Sequence, residues 1–184
     1  MKSRIRLLTL LILSMCSNSI WADQVDTRLD GLFAELHETT DKLRAAEVTR
    51  SIWSIWHEIA DQQTTELMQQ GIKAMQGRQY TEALAAFNQV VDLSPDYAEG
   101  WNKRATLYYL IGDYANSAND VKQTLILEPR HFGALSGLGL IYMELGNFDA
   151  ALEAFQLTLE ANPFASGAQQ NIDYIKRTQP DIQL

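Results

Sequence analysis

A period constrains this chain more than any single residue does. Pro95, Pro129 and Pro163 stand 34 residues apart, and the residues between them repeat in step. Aromatic side chains recur at Tyr80, Tyr114 and Phe148, and apolar ones at Leu67, Trp101 and Leu135. Small residues recur at Gly71, Ala105 and Gly139, and again at Ala83, Ser117 and Ala151. Phe87 and Phe155 match across the first and third units, with Val121 in the middle one. Self-similarity at this length marks stacked units, none of which can bury its apolar face alone. The spacing predicts an all-α solenoid with full units at 64–97, 98–131 and 132–165, each a helix, a tight turn and a second helix. The turns are expected at Gly77–Tyr80, Gly112–Tyr114 and Gly146–Phe148, where glycine takes the left-handed backbone that ends a helix. Each second helix stops before SPD, EPR or NPF, because proline cannot continue a helix and holds its predecessor extended. The small residues belong where the two helices of a hairpin cross.

These residues resemble a tetratricopeptide repeat (TPR) protein over residues 64–165. Stretches such as DYAEGWNKRATLYYLIGDY and LEPRHFGALSGLGL are similar to short secreted bacterial TPR proteins of unassigned role. The resemblance implies capture of an extended peptide or helix in a groove lined by the first helix of each repeat. On this chain that groove is Met68, Ile72 and Met75 from the first repeat and Asn102, Lys103, Thr106 and Tyr109 from the second. Ser136, Gly137, Leu140 and Met143 complete it from the third. Its middle is apolar and rich in methionine, which adapts to differently shaped apolar partners. The competing reading packs these residues against the caps or a second copy of the chain. TPR proteins that grip acidic chaperone tails hold the carboxylates with lysine and asparagine. Here those places carry Met68, Ile72, Lys103, Gly133 and Gly137, so the resemblance does not extend to that clamp. Gly139 reads as helix packing and Gly133 as a helix start, which leaves Gly137 as the place where a ligand backbone could come close.

The flanks read as caps. Residues 23–63 form a worn fourth unit: Leu29, Leu32, Phe33 and Leu36 make one helical stripe, and Val48, Ile52, Ile55 and Ile59 another. Trp53 and Trp56 are expected to pack this cap on the first repeat, with a partner-binding or membrane-contacting ridge as the other reading. Residues 166–184 hold a capping helix and tail, with Ile172 and Ile175 inward and Gln169, Gln170, Asp173, Lys176 and Arg177 in water. An open-ended solenoid needs such polar ends to stay soluble.

The first 22 residues have the order of a secretory signal peptide: Lys2, Arg4 and Arg6, then the apolar run Leu7–Leu13, then a polar stretch ending at Ala22. The expected product is periplasmic and begins at Asp23. Lipid attachment at Cys16 is the alternative, with the chain tethered as a scaffold of an envelope complex; Met15 stands where a lipoprotein has a small residue. Cys16 is the only cysteine, so a chain cut after Ala22 has neither disulfide nor thiol nucleophile. Residues 1–22 hold three of the 15 basic residues and none of the 23 acids. The remainder is strongly acidic, which disfavours nucleic acid and anionic lipid.

No nucleophile, base and stabiliser can be grouped from these residues, and no cofactor motif is present, so the chain reads as a non-enzyme. The string HEIAD at 57–61 has the start of a zinc-protease helix, but Asp61 stands where the second metal-holding histidine is required. The implied partner is a protein or peptide, with self-association as a further possibility and membrane contact only through Cys16 or a retained signal.

Overall fold

The computed structural model describes residues 26–59 and 61–179. The expected signal segment 1–22, including Cys16, lies outside them. The described residues form helices and no strands: α1 (Thr27–Glu38), α2 (Lys42–Trp56), α3 (Gln62–Gln76), α4 (Tyr80–Leu93), α5 (Ala98–Leu110), α6 (Tyr114–Leu127), α7 (Phe132–Glu144), α8 (Phe148–Ala161) and α9 (Ser166–Thr178). None is long and apolar enough to cross a membrane. Pairs α3–α4, α5–α6 and α7–α8 are the three repeated hairpins, and α9 packs on α8. Ile172 and Ile175 of α9 are buried against Phe155 and Leu152.

Sequence explains where most of the helices start. Asp26, Asp41, Asp61, Asp113 and Asn147 cap α1, α2, α3, α6 and α8 by accepting a backbone N–H of the first turn. Such a cap is worth roughly 1 kcal/mol against alanine. The left-handed turn residues are Gly112 (φ 78°) and Gly146 (φ 70°). In the first repeat the left-handed residue is Arg78 (φ 58°) rather than Gly77, which ends α3 at φ −78°. The three turns are equally long and each puts its middle residue in this conformation; in the first the glycine falls one position early, so an arginine carries the strained conformation.

Inside each hairpin, small and large residues are matched in pairs. A Cβ on Gly71 would come within 2.5 Å of the Phe87 ring, and a Cβ on Gly139 within 2.5 Å of Phe155. Both phenylalanines are fully buried. The middle repeat holds Ala105 opposite Val121, both buried in one cluster. The crossing thus conserves volume: glycine faces phenylalanine twice, and alanine faces valine once.

The N-terminal hairpin α1–α2 does not stack on the first repeat. It runs as a strap along the edge formed by the inter-repeat loops. Leu29, Phe33, Leu36, Ala45, Val48, Ile52 and Trp56 form one core with Phe132 of α7, and Ala161 and Phe164 pack against it. On the outgoing helix, Asp30 pairs with Arg130 at 2.8 Å, and Arg130 also lies over the Phe33 ring at 4.4 Å. The His37 ring ends α1 between the carbonyl oxygens of Phe33 and Glu160, at 2.7 and 2.6 Å. Returning along α2, Trp53 meets Gly133, His131 and Phe132, and Trp56 stacks on His131 with centroids 4.2 Å apart. The expectation that Trp53 and Trp56 cover the first repeat is therefore corrected. Aromatic partners for both indoles are gathered at the start of α7, and only there does a glycine leave room for Trp53. Gly133 is correspondingly more than a helix start: a Cβ on it would lie 2.7 Å from the Trp53 ring.

Candidate functional site

Two features meet on the face made by α5 and α7. The first is a groove of about 240 Å³, lined by Asn102, Ala105, Thr106 and Tyr109 of α5, Ser117 and Val121 of α6, and Gly133, Ser136, Gly137 and Leu140 of α7. It exists because Gly137 is bare where the other two repeats carry Gln69 and Lys103, while Tyr109 and Leu140 wall it. A Cβ on Gly137 would meet nothing within 4 Å, so this glycine is a bare stretch of backbone facing open space. At the rim, the hydroxyls of Tyr109 and Tyr114 donate to the Glu144 carboxylate at 3.3 and 3.2 Å. Burial, reinforced by Glu144, pushes both phenol pKa values up, which keeps them as donors.

Six of the eleven residues expected from sequence are brought together in this groove: Asn102, Thr106, Tyr109, Ser136, Gly137 and Leu140. The other five lie elsewhere. Met68 is 3% exposed in the core of the first repeat, and Ile72 and Met75 pack against that same core. Met143 packs on the cluster under α9. Lys103 turns away to Glu99, with Nζ 2.6 Å from its carboxylate. The first helices share one register; in the first repeat Met68 stands where α5 and α7 carry Asn102 and Ser136, and this larger apolar side chain is buried in the core with Phe87 and Leu107.

The second feature was not legible in the sequence. Glu99, on the first turn of α5, is 1% exposed. Its Oε2 accepts from Asn102 Nδ2 at 2.7 Å and from His131 Nε2 at 3.1 Å. Its Oε1 faces Lys103 and, at 3.2 Å, His57 Nε2 of the strap. His131 is the cap of α7: its Nδ1 accepts the Ala134 N–H at 3.1 Å, which places the ring proton on Nε2, toward Glu99. Burial alone would raise the Glu99 pKa, but the bonds from His131 and His57 and the charge of Lys103 outweigh it and hold the carboxyl well below its usual range. The hydrogen bond to Glu99 in turn raises the pKa of His57. The charge is buried but surrounded by donors, which is the condition for keeping it ionised.

A pH dependence follows from these two shifts. The stability contributed by Glu99 is complete above its ordinary pKa of 4.5 and is lost as pH falls through its lowered folded value. That contributed by His57 is complete below its ordinary 6.5 and is lost as pH rises through its raised folded value. Strap docking is expected to be tightest between these limits. Hydrogen exchange of α2 amides from about pH 3 to 9 measures it; in Glu99→Gln the protection should change little with pH, and an equally steep profile there would refute the assignment.

The repeated hairpins have recognisable relatives. The tetratricopeptide repeat family matches residues 111–166, and a second TPR repeat family matches 75–112. A TPR repeat-containing protein of Rhizobium etli is 36% identical over 148 residues, which is 80% of this chain and 72% of that one. A heat-shock protein cognate co-chaperone of Aspergillus fumigatus is 24% identical over 117 residues, 62% of this chain but only 34% of its own length. Among solved structures, the first TPR of Spaghetti, bound to the HSP90 peptide SRMEEVD, superposes with a TM-score of 0.62 at 21% identity, covering 65% of this chain and 95% of that one. At that identity the likeness concerns the fold.

Proposed function

Since the chain belongs to the tetratricopeptide repeat family, we propose that it is a protein-interaction module that takes an apolar peptide side chain or helix face into the α5–α7 groove. The observation that carries this reading is the groove itself: an apolar recess with the half-buried Gly137 backbone facing open space on one wall and donors or acceptors at Asn102, Thr106 and Ser136 on its margins. A recess of this size suits one large side chain of an extended partner, with its backbone held over Gly137. The Spaghetti repeat holds an acidic peptide. Here Lys103, the one cation at a position used for acidic tails, is already paired with buried Glu99. That favours an apolar partner over an acidic one.

We place the module outside the cytosol, in the periplasm, on the charge and hydropathy order of residues 1–22. Intact-mass measurement of the protein recovered from cells tests this: a chain starting at Asp23 is expected, whereas a lipid-modified chain starting at Cys16 would make it a tethered scaffold.

The groove is tested by selection from a displayed peptide library. Enriched peptides are expected to share a large apolar residue. Gly137→Leu fills the recess without a clash, so it should weaken binding roughly tenfold or more while helicity and melting stay unchanged; one leucine side chain is worth about 1.5–3 kcal/mol of buried contact. Tyr109→Asp and Leu140→Asp should do the same. Peptides that bind all three variants as well as the parent would disprove the groove reading.

A further inference from the structure

We propose that the α5–α7 groove selects peptides carrying an arginine or lysine near the large apolar residue, with that cation docked on Glu144. The inference rests on the groove reading and names the class of partner the groove takes. Glu144 follows Leu140 by four residues on α7, so it lies about 6 Å further along the same face. It is exposed, and a ligand seated in the groove can reach it. The groove thus ends at an acid.

That carboxylate is held in place rather than left to swing. Tyr109, a groove wall on α5, donates its hydroxyl to Oε1, and Tyr114 of α6 donates to Oε2. Both donors are neutral, so the charge is uncompensated: among the described residues no cation is paired with Glu144. Nearby on α5, Lys103 is bound to Glu99 and Arg104 to Asp120. Glu144 is also the last residue of α7, where the helix dipole adds negative charge. The whole chain has 23 acidic residues against 15 basic ones, a field of the same sign.

The arrangement is confined to this junction. Leu110 and Gln76 stand one and two periods before Glu144. Met143 and Phe148 replace the two phenols in the third repeat, and Met75 replaces Tyr109 in the first. The acid and both phenols therefore occur together only beside the recess at Gly137. An exposed ion pair usually gains little, because ordering two long side chains offsets the attraction. Here one partner is already ordered, and its oxygens keep lone pairs for a guanidinium or ammonium. Alternate side chains of an extended peptide point the same way, about 7 Å apart. The basic residue is therefore expected two positions from the one in the recess.

The test takes peptides selected by the full chain from a displayed random library. Each is resynthesised with arginine, citrulline or glutamate at the basic position, and its affinity for the parent, Glu144→Gln and Glu144→Lys is measured. Glutamine keeps an acceptor for the phenols while removing the charge, and circular dichroism checks that both variants remain folded. The arginine peptide is expected to bind the parent about threefold to fivefold tighter than the citrulline peptide. Glu144→Gln should abolish that difference without weakening the citrulline peptide, and Glu144→Lys should shift the preference to glutamate. Selected peptides that share an apolar residue but no basic one would defeat this inference and leave the groove reading standing. Peptides with no shared apolar residue would defeat both. An arginine preference that survives Glu144→Gln, or equal loss of the citrulline peptide in that variant, overturns the assignment of the cation to Glu144.

Discussion

Trp56→Ala is expected to lower the unfolding free energy by about 3–5 kcal/mol, the usual cost of deleting a large buried aromatic. The indole is 7% exposed and contacts four rings: Phe33, Trp53, His131 and Phe132. These belong to both strap helices and to the start of α7, so a single truncation weakens the internal core of the strap and its attachment at once. The strap touches the loops that enter α5, α7 and α9, and so it links repeats that a plain solenoid leaves coupled only to their neighbours. Loss of the strap should therefore separate unfolding into two steps. Protection of α1 and α2 amides should fall first, while α5 to α8 remain protected. Chemical denaturation followed by tryptophan fluorescence and by circular dichroism measures both effects. A single transition displaced by less than about 1 kcal/mol would show that the aromatic cluster does not hold the strap.

The second large effect lies at a helix crossing. Gly139→Ala should cost about 1–3 kcal/mol, because the new methyl would sit 2.5 Å from Phe155 Cε1 and 2.7 Å from two other atoms of that ring. Leucine at the same place should cost more. The middle repeat shows how the strain can be relieved, since Ala105 there is matched with Val121. Gly139→Ala combined with Phe155→Val copies that pair into the third repeat. The double variant should lose at least about 1 kcal/mol less than the sum of the two single variants. Melting of the four proteins gives the coupling directly. Additive losses would mean that the two positions do not share one volume, and that the hairpin register is misassigned.

Much of the groove was legible because it is periodic. The 34-residue step lays α5 beside α7 in equivalent rotation, so Asn102, Thr106 and Tyr109 could be set opposite Ser136, Gly137 and Leu140 by counting. The equivalent positions of the first repeat lie outside this recess: Met68 is buried in that repeat's core, and Ile72 and Met75 pack against it. The same counting credited Lys103 to the groove, although a carboxylate four residues earlier on the same helix captures it. Register gives the face of a helix; competition among neighbouring side chains decides which of them remain available.

The repeat alone determined the hairpins, their order and the pairing of small with large residues, because helix periodicity and short turns are local and every unit obeys the same packing. Only the tertiary structure decided where α1 and α2 lie. Their stripes could bury against any apolar surface of the right width, and the choice depends on the space above Gly133 and on the rings of His131 and Phe132. The Glu99 cluster follows from that choice. His57, Glu99 and His131 belong to three different elements with no periodic relation. They become one buried polar site because docking the strap removes water from Glu99, and a carboxylate stripped of water must find donors nearby.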